Sequence, residues 1–232
     1  MITGTLLLAV LVQAAASTPV NLIERQTDCE DVHLFVARGS EEDYPGRQEV
    51  LVDAVCEGKS SCGYEDIIYP ATFGNYCTSA FDGVTNGTAQ ITAYADNCPD
   101  AKLVLTGYSQ GAQVLGDILG GGGGVNILCE QPTNTPLSPE NSPGNKIVAA
   151  TFFGDPRHTA SQSYNVASGA DKDGIWPRPE SMLESLNRFA DSLQSWCLIG
   201  DLFCALGNDS NAHTSYFDIY TDDAAAWINS KL

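Results

Sequence analysis

The sequence predicts an α/β domain, a three-layer α/β/α sandwich with a central, mostly parallel sheet. Nearly continuous runs of β-branched and aliphatic residues alternate along the chain with stretches in which apolar residues recur at helical spacing. This alternation is typical of parallel strands joined by right-handed crossovers. With 43% hydrophobic and 17% charged residues, the 232-residue chain can bury one sizeable core. We therefore expect residues 26–232 to form a single domain.

Each predicted strand is an apolar run that ends in glycine, proline or a polar residue, as in strands that are buried on both faces. These runs lie at 31–39, 65–71, 101–109 and 145–155. Each predicted helix has apolar residues three and four positions apart. The helices lie at 48–55, 80–98, 110–120, 179–193 and 222–232.

Five consecutive glycines, Gly120 to Gly124, form the one low-complexity patch. They have neither the preceding strand nor the spacing that a phosphate-binding loop requires. We expect them to end a helix and to continue as a mobile surface loop.

The first residues have the pattern of a secretion signal. An apolar run of about a dozen residues is followed by small residues that offer a cleavage point near Ala14 to Ala16. This predicts a signal peptide at 1–16, a short pro-segment at 17–25, a mature chain that starts near Gln26, and secretion. No later stretch reaches roughly 18 uninterrupted apolar residues, so no membrane span is expected.

The chain is strongly acidic, with 29 acidic and 11 basic residues and a formal net charge of −18. A surface this negative repels phosphate backbones and anionic lipid headgroups. The charges are dispersed along the chain, which is typical of a solubilising surface. We expect a monomer with neither nucleic acid nor a membrane as partner.

Eight cysteines behind a secretion signal predict four disulfides. A metal site is the alternative, but the sequence has no C-x-x-C pair, no H-E-x-x-H motif and only three, widely separated histidines. No metal is therefore expected. Asn86, in N-G-T, and Asn208, in N-D-S, are glycosylation acceptors in a eukaryotic host.

The candidate nucleophile is Ser109, in the sequence Gly107-Tyr108-Ser109-Gln110-Gly111. This fits the G-x-S-x-G pattern of a nucleophile elbow, where a strand turns directly into a helix and holds the serine in a strained conformation. A predicted strand precedes Ser109 and a predicted helix follows it, and a side chain at either glycine would collide with the adjoining strand or helix. This context favours a nucleophile over an ordinary surface serine in a tight turn.

A serine nucleophile needs a base, and the base needs an orienting acid. His33 lies among apolar residues of the first predicted strand and is expected to be structural. His158, three residues after Asp155, is a rival base. His213 lies in a polar loop before the last predicted helix, in the chain order serine, acid, histidine, and is the preferred base.

The preferred acid is Asp201, which lies in CLIGDLFC at 197–204. The ends of this loop can be tied by Cys197 and Cys204. So short a loop removes only about 2–3 kcal/mol of unfolded-state entropy, so the use of a bridge would be to hold the carboxylate still. The alternative is a solvated aspartate in a disulfide hairpin.

Several segments together carry a family resemblance. They are ARGS (37–40), GYSQGAQV (107–114), FFGDPRH (152–158), CLIGDLFC and a histidine shortly afterwards. In order and spacing they resemble the cutinase and acetylxylan esterase family, secreted fungal serine esterases of the α/β-hydrolase fold. The resemblance covers the chain from about Cys29 to Leu232.

The resemblance implies Ser109 as nucleophile, His213 as base and Asp201 as acid. It also implies an oxyanion hole made by the backbone N–H groups of Ser40 and Gln110, with the Ser40 hydroxyl assisting. The positions agree, because Gln110 follows the nucleophile and Ser40 ends the first predicted strand at the same edge of the sheet. The reaction is acyl transfer and needs no cofactor.

Two disulfides are also implied by the resemblance, Cys29 to Cys98 and Cys197 to Cys204. The pairing of the other four cysteines stays open at this point: Cys56, Cys62, Cys77 and Cys129.

Two substrate classes share this scaffold. Cutinases hydrolyse esters of long hydroxy-fatty acids, and acetylxylan esterases remove acetyl groups from a polysaccharide. ARGS resembles cutinases, although Glu41 stands where many of them have threonine, whereas GDPRH, GIWPRP (174–179) and the ending INSKL resemble the acetylxylan side. We expect a short-acyl esterase that acts on plant cell-wall xylan, with cutin or longer-chain esters as the alternative.

The predicted acid and base have both apolar and polar neighbours. Leu198, Ile199, Leu202 and Phe203 are candidates for an acyl-binding wall, and residues 208–211 are candidates to face a sugar. A non-catalytic wall-binding protein is the alternative of another class, since fold does not guarantee function. It is disfavoured because none of the expected active-site residues is missing.

Overall fold

The computed structural model describes residues 29–126 and 129–232. The expected signal peptide, pro-segment and mature start near Gln26 lie outside these residues. In chain order the described elements are β1 (Val32–Ala37), α1 (Glu49–Cys56), β2 (Cys62–Asp66), α2 (Tyr76–Asn97), β3 (Lys102–Tyr108), α3 (Gln110–Gly120), β4 (Gly122–Val125), β5 (Glu130–Asn134), β6 (Ile147–Phe153), β7 (Asn165–Val166), α4 (Glu180–Leu186), β8 (Leu193–Trp196), α5 (Ser210–Thr214) and α6 (Tyr216–Asn229).

A central sheet of parallel strands has the order β2-β1-β3-β6-β8-β7. Side chains alternate between its two faces. Phe35 belongs to the core on the side of α2 and α3, whereas Leu34 and Val36 belong to the core on the side of α1 and α6. The predicted three-layer α/β/α sandwich with a mostly parallel sheet is confirmed, and the helices and strands of the described residues place the carboxyl ends of β3, β6 and β8 at one edge.

One predicted strand is displaced. The apolar run at 65–71 predicted a strand there, but β2 spans Cys62–Asp66. After Asp66 the backbone leaves the sheet because its N–H groups find side-chain acceptors: Ile68 donates to Gln90 Oε1 (2.9 Å) and Tyr69 to the Tyr44 hydroxyl (3.1 Å). Strand β8, with the mixed sequence LQSW, was not predicted, because only tertiary packing distinguishes it from the helical stretch before it.

The glycine-rich patch is only in part what the sequence suggested. Helix α3 ends at Gly120 as expected, but the expected surface loop is wrong, because β4 pairs antiparallel with β5. Gly122 is buried, and a Cβ there would lie 2.6 Å from the Asp117 side chain, so glycine allows the strand to return along the helix.

Four disulfides join cysteines of the described residues. Two are the pairs that the resemblance implied, Cys29–Cys98 and Cys197–Cys204. The other two, left open by the sequence, are Cys56–Cys62, which closes the short connection from α1 to β2, and Cys77–Cys129, which ties the start of α2 to the β4–β5 hairpin. None of the helices in the described part of the chain is long and apolar enough to cross a bilayer.

Candidate active site

Ser109 stands between β3 and α3 in a strained backbone conformation, with φ 54° and ψ −118°. Glycine is required at the neighbouring positions 107 and 111 because other backbone atoms lie too close for a side chain. A Cβ on Gly107 would lie 2.6 Å from the Gly111 carbonyl oxygen, and a Cβ on Gly111 would lie 1.9 Å from the carbonyl oxygen of Ala37 on β1. A strained non-glycine residue held by such packing is typical of a functional site, and here it has the geometry of a nucleophile elbow.

The structure brings Ser109, His213 and Asp201 together. Ser109 Oγ lies 3.0 Å from His213 Nε2, and Asp201 Oδ2 lies 2.8 Å from His213 Nδ1. Ser109 and His213 are 6% and 8% exposed, and Asp201 is fully buried. The row serine–imidazole–carboxylate can move a proton from the hydroxyl to the imidazole while the carboxylate stabilises the resulting charge.

The Asp201 carboxylate is held from both sides. In addition to the contact with His213, Oδ2 accepts a hydrogen bond from the Tyr216 hydroxyl (2.6 Å), and Oδ1 accepts from the N–H groups of Phe203 (2.7 Å) and Cys204 (3.3 Å). Burial acts to raise the pKa of Asp201, but the hydrogen bond and charge of His213, with the bonds from Tyr216 and Phe203, outweigh it and hold the pKa below its ordinary value. Asp201 is therefore an ionised, oriented carboxylate at neutral pH.

Neighbouring groups fix the imidazole. A Cβ on Gly154, at the end of β6, would lie 2.9 Å from His213 Nδ1, so the strand end forms the floor below the ring. The Tyr108 hydroxyl donates to the His213 carbonyl (2.9 Å), and the Phe203 ring lies 4.5 Å from the imidazole.

The other two histidines contact residues outside this row. His158 is buried, its Nδ1 lies 2.9 Å from Ser195 Oγ, and burial lowers its pKa. Asp155, its proposed partner, accepts from Arg178 (2.5 Å). His33 is buried in β1, where its Nδ1 lies 2.9 Å from Glu30 Oε2. The base that the structure brings to Ser109 is His213.

The predicted oxyanion donors flank Ser109. Gln110 is fully buried at the start of α3, where the first N–H groups have no intrahelical partner. Ser40 follows β1, which pairs directly with β3. Within the described residues the buried Ser40 hydroxyl has no hydrogen-bond partner. A buried polar group of this kind usually has a partner or a functional reason to lack one.

The surface around the triad has apolar and polar parts. Three exposed apolar side chains lie on the loop that follows β8: Ile199, Leu202 and Leu206. Of the residues expected to form an acyl wall, Leu198 packs into the core instead, and Phe203 contacts His213. The polar residues 208–211 are exposed.

A cavity of about 280 Å³ begins one helical turn beyond Ser109. Gln113, whose N–H donates to the Ser109 carbonyl (3.2 Å), lines it together with Gln131, Arg157 and Trp176. Trp176 also contacts the ring of Tyr76 edge-on at 5.2 Å. Aromatic and polar side chains thus line this cavity, and the amide of Gln113 donates to that of Gln131 (3.0 Å).

Other predicted sites are placed as follows. Asn86 and Asn208 are both exposed, on α2 and in the loop before α5, and the Asn86 side-chain amide donates to the Ile68 carbonyl (2.7 Å). No group of histidine, cysteine, aspartate or glutamate within 29–126 and 129–232 is arranged to hold a metal ion.

Sequence reasoning missed two residues that hold the triad, Tyr216 and Gly154. Tyr216 carries no local signal, since its hydroxyl reaches Asp201 only through packing of α6 against the loop after β8. Gly154 does carry one, because it directly follows a buried strand at the edge of the sheet where Ser109 was expected.

Comparisons with known proteins agree with this geometry. The cutinase family profile matches residues 28–232. An acetylxylan esterase of Hypocrea jecorina is 34% identical over 94% of this chain and 73% of its own length, and Cutinase 11 of Verticillium dahliae is 32% identical over 100% of this chain and 78% of its own. The catalytic core domain of the acetyl xylan esterase from Trichoderma reesei superposes with a TM-score of 0.78 at 33% identity, covering 88% of this chain and 100% of that one. The family resemblance read from the sequence is confirmed, and the chain belongs to the cutinase family of serine esterases.

Proposed function

We propose that this protein is a secreted esterase that removes acetyl groups from xylan or similar short-acyl esters of the plant cell wall. The observation that carries the chemistry is the hydrogen-bonded row of Ser109, His213 and Asp201 at the end of β3. The four disulfides support an oxidising, extracellular location.

In the proposed mechanism, His213 Nε2 takes the proton of Ser109 as Oγ attacks the ester carbonyl carbon. The N–H groups of Ser40 and Gln110, with the Ser40 hydroxyl, stabilise the tetrahedral oxyanion. The C–O bond to the alcohol then breaks, and His213 returns the proton to the leaving oxygen. Water repeats these steps on the acyl-enzyme, which frees the acid and restores Ser109.

The acetyl-polysaccharide assignment has two supports. Among the similar proteins, the Hypocrea jecorina relative and the Trichoderma reesei structure are both acetylxylan esterases. In this chain, the Trp176 ring lines the cavity that begins one helical turn beyond Ser109, and an aromatic ring suits the apolar face of a sugar.

A cutin-type substrate is the second candidate. Its supports are the similarity to Cutinase 11 and the exposed apolar side chains of Ile199, Leu202 and Leu206 beside the triad. A long acyl chain has apolar surface to bury against such residues, whereas an acetyl group has little.

Relative rates on acetyl, butyryl and hexadecanoyl p-nitrophenyl esters, measured beside acetate release from acetylated xylan, test the two candidates. We expect the acetyl ester to be fastest and acetate to be released from xylan. A preference for the hexadecanoyl ester with no acetate release would favour the cutin-type substrate.

Ser109→Ala should lower kcat by about 10⁶-fold, because members of a triad act as a unit. Kinetics on p-nitrophenyl acetate measure this, and a fluorophosphonate probe checks it independently by labelling the wild-type serine. A variant that keeps more than a few per cent of activity, or a wild type that takes no label, would support the non-catalytic wall-binding alternative or a different nucleophile.

A further inference from the structure

Three consecutive residues, Ala71 to Phe73, bond to a single residue on the loop after β1. The Glu41 N–H donates to the Ala71 carbonyl (2.7 Å), and Glu41 Oε1 accepts from the Thr72 hydroxyl (2.9 Å) and the Phe73 N–H (2.8 Å). The bonds from Phe73 and Thr72 lower the pKa of Glu41, so its carboxylate is ionised at neutral pH. We call residues 71–73 the bridge segment.

The bridge segment also bonds to the side chain of Gln110. Gln110 Nε2 donates to the carbonyl of Thr72 (3.4 Å). A second connection runs through Ser79, whose hydroxyl donates to Gln110 Oε1 (3.3 Å) and accepts from the Thr72 N–H (3.1 Å). Thr72 is therefore bonded to Glu41 through its hydroxyl and to Gln110 through its carbonyl.

The backbone is strained where the two loops meet. Glu41 has φ 60° and Ala71 has φ 52°, although neither residue is glycine. Non-glycine residues in this region persist where the surroundings fix them, and they cluster at functional sites. The two strained residues face each other across the 2.7 Å bond, so each loop holds the other.

The two proposed oxyanion donors lie on different elements. Ser40 is on the loop after β1 and Gln110 begins α3, so secondary structure alone does not set the separation of their N–H groups. An oxyanion hole is effective when its donors lie about 2.7–3.1 Å from the developing charge. The bridge segment connects the residue next to one donor with the side chain of the other.

We propose that Glu41 is a positioning residue for ester hydrolysis, holding the Ser40 N–H and hydroxyl in register with the Gln110 N–H through the bridge segment. This inference rests on the proposed function, because it assigns the two donors to the oxyanion. Glu41 itself does not touch the ester. Its carboxylate acts through Thr72 and Phe73, so its effect falls on the transition state rather than on binding of the substrate.

The test compares kcat and KM on p-nitrophenyl acetate for Glu41→Ala and Glu41→Gln. The alanine variant should lose between about 10- and 100-fold in kcat, with KM within about 2-fold of wild type, because a displaced donor weakens only transition-state stabilisation. Glutamine should restore most of kcat, since its amide oxygen can accept both bonds. Asp43→Ala removes an exposed carboxylate from the same turn and should keep wild-type kinetics.

Thr72→Val gives a second measurement that does not alter Glu41. It should lower kcat less than Glu41→Ala does, and it should add little when combined with Glu41→Ala, because the Thr72 hydroxyl has then already lost its acceptor. If Glu41→Ala folds poorly, the kcat of Thr72→Val alone still tests the inference, and a wild-type kcat in that variant would contradict the positioning role.

The outcomes separate the inference from the function on which it rests. Activity that survives Ser109→Ala would refute the proposed function. If Ser109→Ala is inactive but Glu41→Ala has wild-type kcat, the positioning role is wrong. It is also wrong if glutamine is as damaging as alanine, or if the loss appears in KM instead of kcat.

Discussion

At the scale of single residues, the Asp201 carboxylate shows how the imidazole is oriented. Its Oδ2 faces His213 and Tyr216, and its Oδ1 faces two backbone N–H groups. With both oxygens held, the carboxylate cannot rotate, and His213 is fixed with Nδ1 toward the acid and Nε2 toward Ser109. An orienting acid needs this immobility as much as it needs charge.

His213→Ala should be nearly as damaging as Ser109→Ala, whereas His158→Ala should mainly lower stability. The reason is that His213 contacts Ser109, whereas His158 contacts Ser195 inside the core. The paired measurement is kcat and the free energy of unfolding of each variant. The reverse result would make Asp155 and His158 the working pair.

Tyr216→Phe should lower the free energy of unfolding at pH 7 by about 1.5–3 kcal/mol, the range for a hydrogen bond to a charged group. The Tyr216 bond helps to hold the pKa of Asp201 below its ordinary value. A carboxylate whose pKa is lower in the folded than in the unfolded chain stabilises the fold at pH values above its unfolded pKa of about 3.9. This stabilisation is lost as the pH falls through the pKa of the folded state.

The difference between Tyr216→Phe and wild type should therefore shrink from pH 7 to below pH 3, as measured by urea unfolding at several pH values. Tyr220→Phe, on the same helix, serves as the control. A difference that is constant with pH would show that the hydroxyl acts through its bond from the Leu198 N–H (3.0 Å) and not on Asp201.

At the scale of elements, the loop after β8 holds Asp201, the proposed acid, in a short covalent ring. The Cys197–Cys204 disulfide closes it, and two N–H groups within the ring bind Asp201. Closing a ring this small raises the free energy of the unfolded chain by only about 2–3 kcal/mol. Because it holds the residue that contacts His213, we expect it to matter more for the position of Asp201 than for stability.

Replacing both Cys197 and Cys204 by serine should cost more in kcat than in stability. We expect a loss on the order of 10²-fold in kcat, because displacing a catalytic group by about 1 Å has an effect of that size. Kinetics and thermal unfolding of the same preparation measure the two effects.

The matched control is the double replacement of Cys56 and Cys62 by serine. That bridge also closes a short loop, with a sequence separation of 6 against 7, but it lies between α1 and β2. It should lower the melting temperature with little change in kcat. Equal kinetic losses in both double variants would show that the Cys197–Cys204 bridge stabilises the fold but has no specific role in positioning Asp201.

At the scale of the whole molecule, local patterns predicted the elbow and the sheet better than they predicted long-range contacts. Ser109 was predictable because strand, turn and helix are contiguous in sequence. The Cys77–Cys129 pair spans 52 residues, and nothing near either cysteine specifies the other. The Gly122 strand was missed because consecutive glycines carry no strand pattern, and its pairing with Asn134 on β5 is formed only in the folded chain.

The net charge of −18 predicts a dependence on salt that differs between substrates. Xylan that carries uronic acid groups should be repelled at low ionic strength, and raising NaCl from about 10 mM to about 150 mM shortens the Debye length from about 30 Å to about 8 Å. We expect kcat/KM on such xylan to rise several-fold, while that on neutral p-nitrophenyl acetate stays constant. A parallel change on both substrates would point to salt acting on the protein instead of on their encounter.

The contact between Ser109 and His213 also determines when activity arises during folding. It joins residues 104 positions apart, and it needs β6, β8 and α6 in place beside β3. Contacts of such long range form slowly, because the closure of large loops must come before the packing that rewards it. In a chain with its central strands already paired, Ser109 still lacks its contact with His213, the proposed base, so we expect catalytic competence to be among the last properties that the folding molecule acquires.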